Sequence, residues 1–77
     1  MKGLYCVYDK VSTLFNYPYP AENKETAVRS FNDAMKNHPF GEDCSLYYVG
    51  NFNDDTDGSI QACKPEFVCS YSRKVGE

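Results

Sequence analysis

One segment constrains the fold more than any other: residues 22–39, "ENKETAVRSFNDAMKNHP", carry the clearest helical pattern in the chain. Apolar residues recur there at i, i+1, i+4, i+7 and i+8, which is the spacing of one stripe on an amphipathic helix. Asn23 is placed to cap the amino-terminal end, and Pro39 and Gly41 end the helix. The predicted buried stripe consists of Ala27, Val28, Phe31, Ala34 and Met35, and the predicted wet face of Glu25, Arg29, Asn32, Asp33 and Lys36.

The other segments are rich in Tyr, Val, Leu and Phe and predict strands. Residues 2–9 are apolar on both sides, which predicts a central strand covered on both faces. Residues 13–17 predict a weak strand, and Pro18 and Pro20 push it to a sheet edge or an extended connection. Residues 44–52 and 59–72 predict two further strands, the second interrupted or bulged at Pro65.

These elements predict an α+β fold: a small antiparallel sheet of three to four strands with one amphipathic helix packed on it, in the order β-β-α-β-β. The 77 residues form one domain, with a loose tail from about residue 73. A core this thin calls for a partner subunit or cross-links. No apolar run is long enough for a signal peptide or a bilayer span, so we expect reduced cysteines and no membrane contact.

The most polar stretch, "NDDTDG" at residues 53–58, raises the question of a metal site. Its oxygen-bearing residues fit the first positions of an EF-hand loop, but Lys64 stands where calcium needs a bidentate Glu. Its flanks also predict strands, whereas an EF-hand needs helices. Asp57-Gly58 between two strands is a strong hairpin signal, because Gly adopts positive φ without a steric cost. We therefore predict a hairpin turn.

The four cysteines, Cys6, Cys44, Cys63 and Cys69, lack the close C-x₂₋₄-C pairing of structural zinc sites. We expect them to be buried, reduced small hydrophobes, with no metal and no cofactor. The alternatives are two disulfides in one of three pairings, or a nucleophile pair of Cys44 with His38. His38 also fits a cap on the last helix carbonyls, and no phosphate-loop or hydrolase motif is present. We therefore expect a protein that is not an enzyme.

The chain has twelve aromatic residues, which is more than so thin a core needs. This surplus suggests nucleic-acid binding as a function. Single strands are bound by aromatic faces that stack bases and by cations that contact phosphates. Tyr17 and Tyr19, in the proline-stiffened "FNYPYP", are the predicted stacking residues, unless these tyrosines cover the core or form a dimer interface. The net charge of −3 argues against a broadly basic surface but allows one local positive face. The predicted phosphate contacts are Lys24, Arg29 and Lys36, and further cations are Lys10, Arg73 and Lys74.

The order and spacing of three motifs resemble a known family. "YCVYD", "AVRSFNDAM" and "GEDCSLYYVGNFNDDTDG" are similar to motifs of the small nonstructural protein of gokushoviruses, single-stranded DNA phages of the Microviridae. Gly41 stands where that family commonly has Pro, Asn53 replaces an acid, and the turn contains Thr-Asp-Gly rather than Thr-Gly. The matching positions are Tyr5, Tyr8, Asp9, Ala27, Arg29, Phe31, Glu42, Asp43, Leu46, Val49, Gly50, Phe52, Asp54 and Thr56.

The resemblance implies a phage protein made in the cytoplasm of the bacterial host. It further implies binding of single-stranded DNA during genome replication or its switch to packaging. We expect a homo-oligomer, with a phage or host replication protein as a further partner. The alternative is a protein–protein interaction module that binds a phage or host protein without DNA contact.

Overall fold

The computed structural model describes residues 1–72, and the tail predicted from residue 73 lies outside the described residues. The described range is α+β, as predicted, and contains five strands, one helix and a short 3-10 turn. In chain order these are β1 (Lys2–Asp9), β2 (Leu14–Phe15), β3 (Tyr19–Ala21), α1 (Lys24–Lys36), the turn Gly41–Asp43, β4 (Cys44–Phe52) and β5 (Ile60–Ser70).

The strands form one antiparallel sheet in the order β2-β1-β4-β5, and β3 also pairs with β1. β2 and β3 share one edge of β1, at its Asp9 end and its Gly3 end respectively. Between them Asn16 bridges to Val7: its backbone N–H donates to the Val7 carbonyl, and its Oδ1 accepts the Val7 N–H, at 2.9 Å each. The element order is therefore β-β-β-α-β-β rather than β-β-α-β-β, because the chain leaves β1 after Asn16 and rejoins it at β3.

α1 packs on one face of this sheet. The predicted cap is confirmed, since Asn23 Oδ1 accepts the Thr26 N–H at 2.8 Å. Ala27, Phe31 and Met35 are buried as predicted. Ala34 is exposed instead, because it lies at the margin of the stripe, about 60° around the helix from Phe31. Within residues 1–72, no helix is long and apolar enough to cross a membrane.

β4 and β5 form the predicted hairpin through residues 53–59. Gly58 has φ of 74°, its N–H donates to the Asn53 carbonyl, and the Asn53 N–H donates to the Ser59 carbonyl, both at 2.9 Å. Two acids of the turn have partners within the chain: Asp57 accepts the Ser59 N–H at 3.0 Å, and Asp54 pairs with Lys2 of β1 at 3.0 Å. The segment "NDDTDG" is therefore a hairpin turn, and the Asp54–Lys2 ion pair joins it to β1.

Two irregularities bend β5 against β4. Between the pairs Tyr48–Glu66 and Gly50–Ala62, residues 63–65 stand opposite one β4 residue, which confirms the bulge predicted at Pro65. A second bulge at Val68 separates the pairs Tyr47–Phe67 and Leu46–Cys69. Phe67 and Cys69 therefore lie on opposite faces of the sheet, although a regular strand would place them on the same face.

The helix covers only one face of the sheet. Beneath it, Tyr5, Cys44 and Leu46 join the helix stripe in the core. Leu4 and Cys6 alternate with Tyr5 and belong to the opposite face, which we call the open face; both are buried among neighbouring strand side chains. β1 is central, as predicted, but its predicted coverage on both faces is wrong because the chain has no second helix within residues 1–72.

We predict that Gly50→Ala destabilises the domain by about 3–4 kcal/mol, because it combines backbone strain with steric overlap. Gly50 has φ of 149°, and a Cβ there would overlap the Gln61 carbonyl oxygen across the β4–β5 pair. Gly58→Ala is the control: Gly58 also has positive φ, but no atom lies within 4 Å of its Cβ position. We expect that control to lose about 1 kcal/mol. Urea unfolding followed by circular dichroism measures both, and equal losses would contradict the packing argument.

Candidate nucleic-acid interface

Four aromatic rings cross the open face in a continuous line, one from each strand of the β2-β1-β4-β5 path. Phe15 and Tyr8 have ring centroids 4.7 Å apart, and Tyr8 and Tyr47 are 6.0 Å apart. Phe15 also reaches Tyr47 at 5.4 Å, and Tyr47 contacts Phe67 at 5.7 Å. We call Phe15, Tyr8, Tyr47 and Phe67 the aromatic row.

The strand register builds this row. Tyr8 pairs directly with Phe15, and Tyr47 pairs directly with Phe67. Tyr47 also pairs with Cys6, two residues from Tyr8, so Tyr8 and Tyr47 are diagonal neighbours on the same face. The bulge at Val68 turns Phe67 to this side. Without that bulge the row would end at β4.

The rings are fixed by edge-to-face contacts. The Tyr47 ring is inclined at 75–78° to the rings of Phe15, Tyr8 and Phe67, an arrangement that aromatic pairs favour. Tyr8 and Tyr47 are half-buried, whereas Phe15 is 45% exposed and Phe67 is 60% exposed. The inner tyrosines therefore support two outer phenylalanines whose rings are open to a ligand.

Charge is sparse on the open face. Among its described residues in paired strand positions, Lys2 is the one charged side chain, and it bonds Asp54 at 3.0 Å and Glu22 at 3.3 Å. The Asp54 contact raises the pKa of Lys2, and the same hydrogen bond lowers the pKa of Asp54. Lys10 lies beside the row, two residues after Tyr8, where its backbone N–H donates to the Asp43 carbonyl at 3.0 Å.

The predicted phosphate contacts lie on the helix, on the other side of the sheet. Arg29 and Lys36 are exposed, seven residues apart, and share one helix face about 10 Å apart along the axis. Glu25 and Asp33 lie at i±4 from Arg29, so this face is nearly neutral. Lys24 points elsewhere: it lines a shallow groove of about 260 Å³ together with Glu66, Tyr5 and Tyr48 among others.

The two predicted stacking tyrosines, Tyr17 and Tyr19, differ in how exposed their rings are. Tyr17 is 91% exposed, in the short connection between Asn16 and β3. Tyr19 belongs to β3 and packs against the core, with its ring 6.5 Å from that of Tyr5, and burial raises its pKa. Tyr17 therefore offers a free ring, whereas Tyr19 already contributes to the fold. Both remain predictions as DNA contacts.

The cysteines divide into two groups, and all four are free thiols. Cys6 and Cys44 are buried and Cys69 is half-buried, as expected of small hydrophobes, and burial is the main cause that raises the pKa of each. Cys63 is exposed, contrary to the expectation, because it lies in the bulge of the uncovered strand β5. Near the proposed nucleophile pair, the Cys44 thiol donates to the Phe40 carbonyl, and His38 Nδ1 accepts the Phe40 N–H.

The aromatic row was missed from the sequence, although a signal for it was present. Strands β1 and β4 carry aromatic residues on both sides, as "LYCVY" and "LYYV", whereas one helix covers only one side. The surplus aromatic residues therefore had to lie on an uncovered face. The sequence contains no such signal for Phe67, because the face of the sheet on which Phe67 lies depends on the bulge at Val68.

A protein-family model described as Phage ORF5 protein matches residues 2–73 of the chain. The match includes every strand and the helix, and therefore the whole aromatic row. No curated protein and no solved structure matches the chain.

We predict one fast-reacting thiol per folded chain. Cys63 is exposed, whereas the other three thiols are shielded and hold raised pKa values, so less of each is thiolate near pH 8. Titration with a thiol-reactive dye should show a single fast phase, with the other thiols slower by about tenfold or more. Cys63→Ser should remove the fast phase, and 8 M urea should release all remaining thiols. A second thiol reacting fast at pH 6 would instead reveal an activated nucleophile such as Cys44.

Proposed function

The chain belongs to the Phage ORF5 protein family, and we propose that it is a non-enzymatic phage accessory protein that binds single-stranded DNA through the aromatic row. It acts in the cytoplasm of the bacterial host, during genome replication or its switch to packaging. A phage or host replication protein is its further partner. The observation that supports DNA binding best is the row itself, with four rings in contact across four strands.

Base stacking explains why such a row suits a single strand. Every base has a π-face, so an aromatic platform accepts any sequence, and each stacked base contributes about 1–3 kcal/mol. An open sheet surface also favours a single strand, because unpaired bases can be splayed out onto it. Phe15 and Phe67 provide the exposed rings, and the ring of Tyr47 lies between them in contact with both. The rings are ordered before binding, which reduces the entropy lost on association.

A cation beside the row completes the proposed site. Lys10 follows β1 immediately after Asp9, at the sheet end that carries the row. Lys10 would contact a phosphate beside the stacked bases. Arg73 and Lys74 lie outside the described residues. The helix cations Arg29 and Lys36 lie on the other side of the sheet, and the salt dependence of binding distinguishes them from Lys10.

The alternative is a protein–protein interaction module, and one observation favours it. The open face continues beyond the row as an apolar surface, where Phe52 pairs with Ile60 and Ile60 is 63% exposed. Contiguous exposed apolar patches are typical of protein–protein interaction sites. A phage or host protein recovered with the chain from infected cells after nuclease treatment would support this alternative.

We predict that Phe67→Ala weakens binding of a labelled single-stranded oligonucleotide by about 5- to 150-fold, the loss of one stacked base. Phe15→Ala should have a similar effect. Phe40→Ala is the matched control, because Phe40 is 63% exposed, like Phe67 at 60%, and its ring contacts His38 but is not part of the line of ring contacts that forms the row. Fluorescence anisotropy measures the affinities. Equal affinities for the Phe67 and Phe40 variants would exclude the row, and a selective loss in Tyr17→Ala or Arg29→Ala would move the site to the residues predicted from sequence.

We also predict a shallow salt dependence. Each phosphate contact on a single strand adds about −0.7 to the slope of log K against log salt concentration, so a site with one to three contacts gives a slope between about −0.7 and −2. Lys10→Ala should reduce that slope by about 0.7, whereas Lys36→Ala should leave it unchanged. The measurement is the same anisotropy titration at four salt concentrations. A slope that changes with Lys36 and not with Lys10 would place the phosphates on the helix.

A further inference from the structure

We propose that, in the absence of DNA, a second copy of this chain covers the open face, and that single-stranded DNA and the second copy compete for the aromatic row. The dimer would be symmetric, with two open faces packed together and the helices outside. The competition rests on the proposed function, whereas the dimer does not. The sequence already led us to expect a homo-oligomer, and the structure assigns this association to a surface.

The first support is the composition of the face. Sheet faces exposed to water normally carry polar side chains. Here the aromatic row continues into Phe52 and the exposed Ile60, and Leu4 lies buried among these side chains. Lys2 is the charged residue at the described paired positions of this face, and it already has Asp54 and Glu22 as partners. Such a face resembles one half of a β-sandwich core.

Charge explains why the occupant is a second copy. The described acids of the strands pair on the helix side or lie in turns: Asp9 pairs with Leu14, and Glu66 pairs with Tyr48. Two chains of net charge −3 can therefore meet through their open faces and keep their acidic groups apart. A twofold contact also needs only one self-complementary patch, which is the commonest arrangement among homo-oligomers.

The size of the face sets the strength of the dimer. The four strands of the β2-β1-β4-β5 path contain 30 residues. At about 3.3 Å per residue and about 4.8 Å between strands, they cover roughly 480 Å² per copy in projection. Two such faces bury about 1,000 Å² once side-chain relief is included, which is the lower limit for a specific interface. We therefore expect a dissociation constant in the micromolar range. A contact this weak is reversible, so an oligonucleotide can displace the second copy.

Sedimentation velocity without DNA tests the dimer. The 8.8 kDa chain should shift from monomer to dimer between about 1 and 500 μM, the range that brackets a micromolar constant. Ile60→Asp should keep the protein monomeric throughout, because it places a charge on the open face but outside the row. Phe40→Asp, at an equally exposed residue elsewhere, should dimerise like the wild type, and circular dichroism checks that both variants fold. A wild type that stays monomeric, or an Ile60→Asp variant that dimerises normally, would overturn the assigned surface.

Titration with a single-stranded oligonucleotide tests the competition. The wild-type dimer should dissociate into complexes of one chain per oligonucleotide. When half of the wild-type protein is dimeric, Ile60→Asp should bind DNA about twofold more tightly, because all of it is competent to bind. A dimer that persists with DNA bound would overturn the competition. Failure of the monomeric Ile60→Asp variant to bind DNA would refute the proposed function and the competition. The sedimentation measurement would still show whether the chain dimerises through the open face.

Discussion

A single helix of 13 residues cannot cover both sides of a sheet, and this limit organises the rest of the molecule. The helix is about 20 Å long and about 10 Å wide, so its buried stripe protects one patch on one face. Ala27, Phe31 and Met35 make that contact. The other face must then be wet and polar, or apolar and covered by something else. In this chain it is largely apolar.

The open face also contributes to the fold. Each edge-to-face aromatic contact adds about 0.5–1.5 kcal/mol beyond simple burial. Tyr47 makes three such contacts with residues of three different strands, so it ties the sheet together on the side without a helix. Tyr47 and Tyr8 therefore have a structural role in addition to the binding role proposed for the row. Phe15 and Phe67 at the ends are exposed enough to be altered with less damage to the sheet.

The local elements could be predicted from the sequence because local physics determines them. The cap at Asn23, the turn at Gly58 and the bulge at Pro65 each depend on one residue whose backbone chemistry leaves few alternatives. The site could not be predicted in the same way. It depends on pairing between strands far apart in sequence, and on a bulge at Val68, a residue that gives no sign of one. The five predicted site residues were chosen from the exposure and charge expected within single segments. A row formed by side chains of four strands could not be predicted in that way.

The edge of β5 and the open face are both uncovered, and they differ in a way that bears on the proposed function. An exposed edge strand invites pairing with another chain, and proteins protect such edges with prolines, lysines and bulges. β5 has all three: Lys64 and Pro65 lie in one bulge, and Val68 forms another. The open face has less protection, since Phe15, Phe67 and Ile60 expose apolar surface there. Lys2, the charged side chain at the described paired positions of this face, is already paired with Asp54 and Glu22. A protected edge and an unprotected aromatic face are consistent with the proposed association through that face, rather than with addition of a strand to β5.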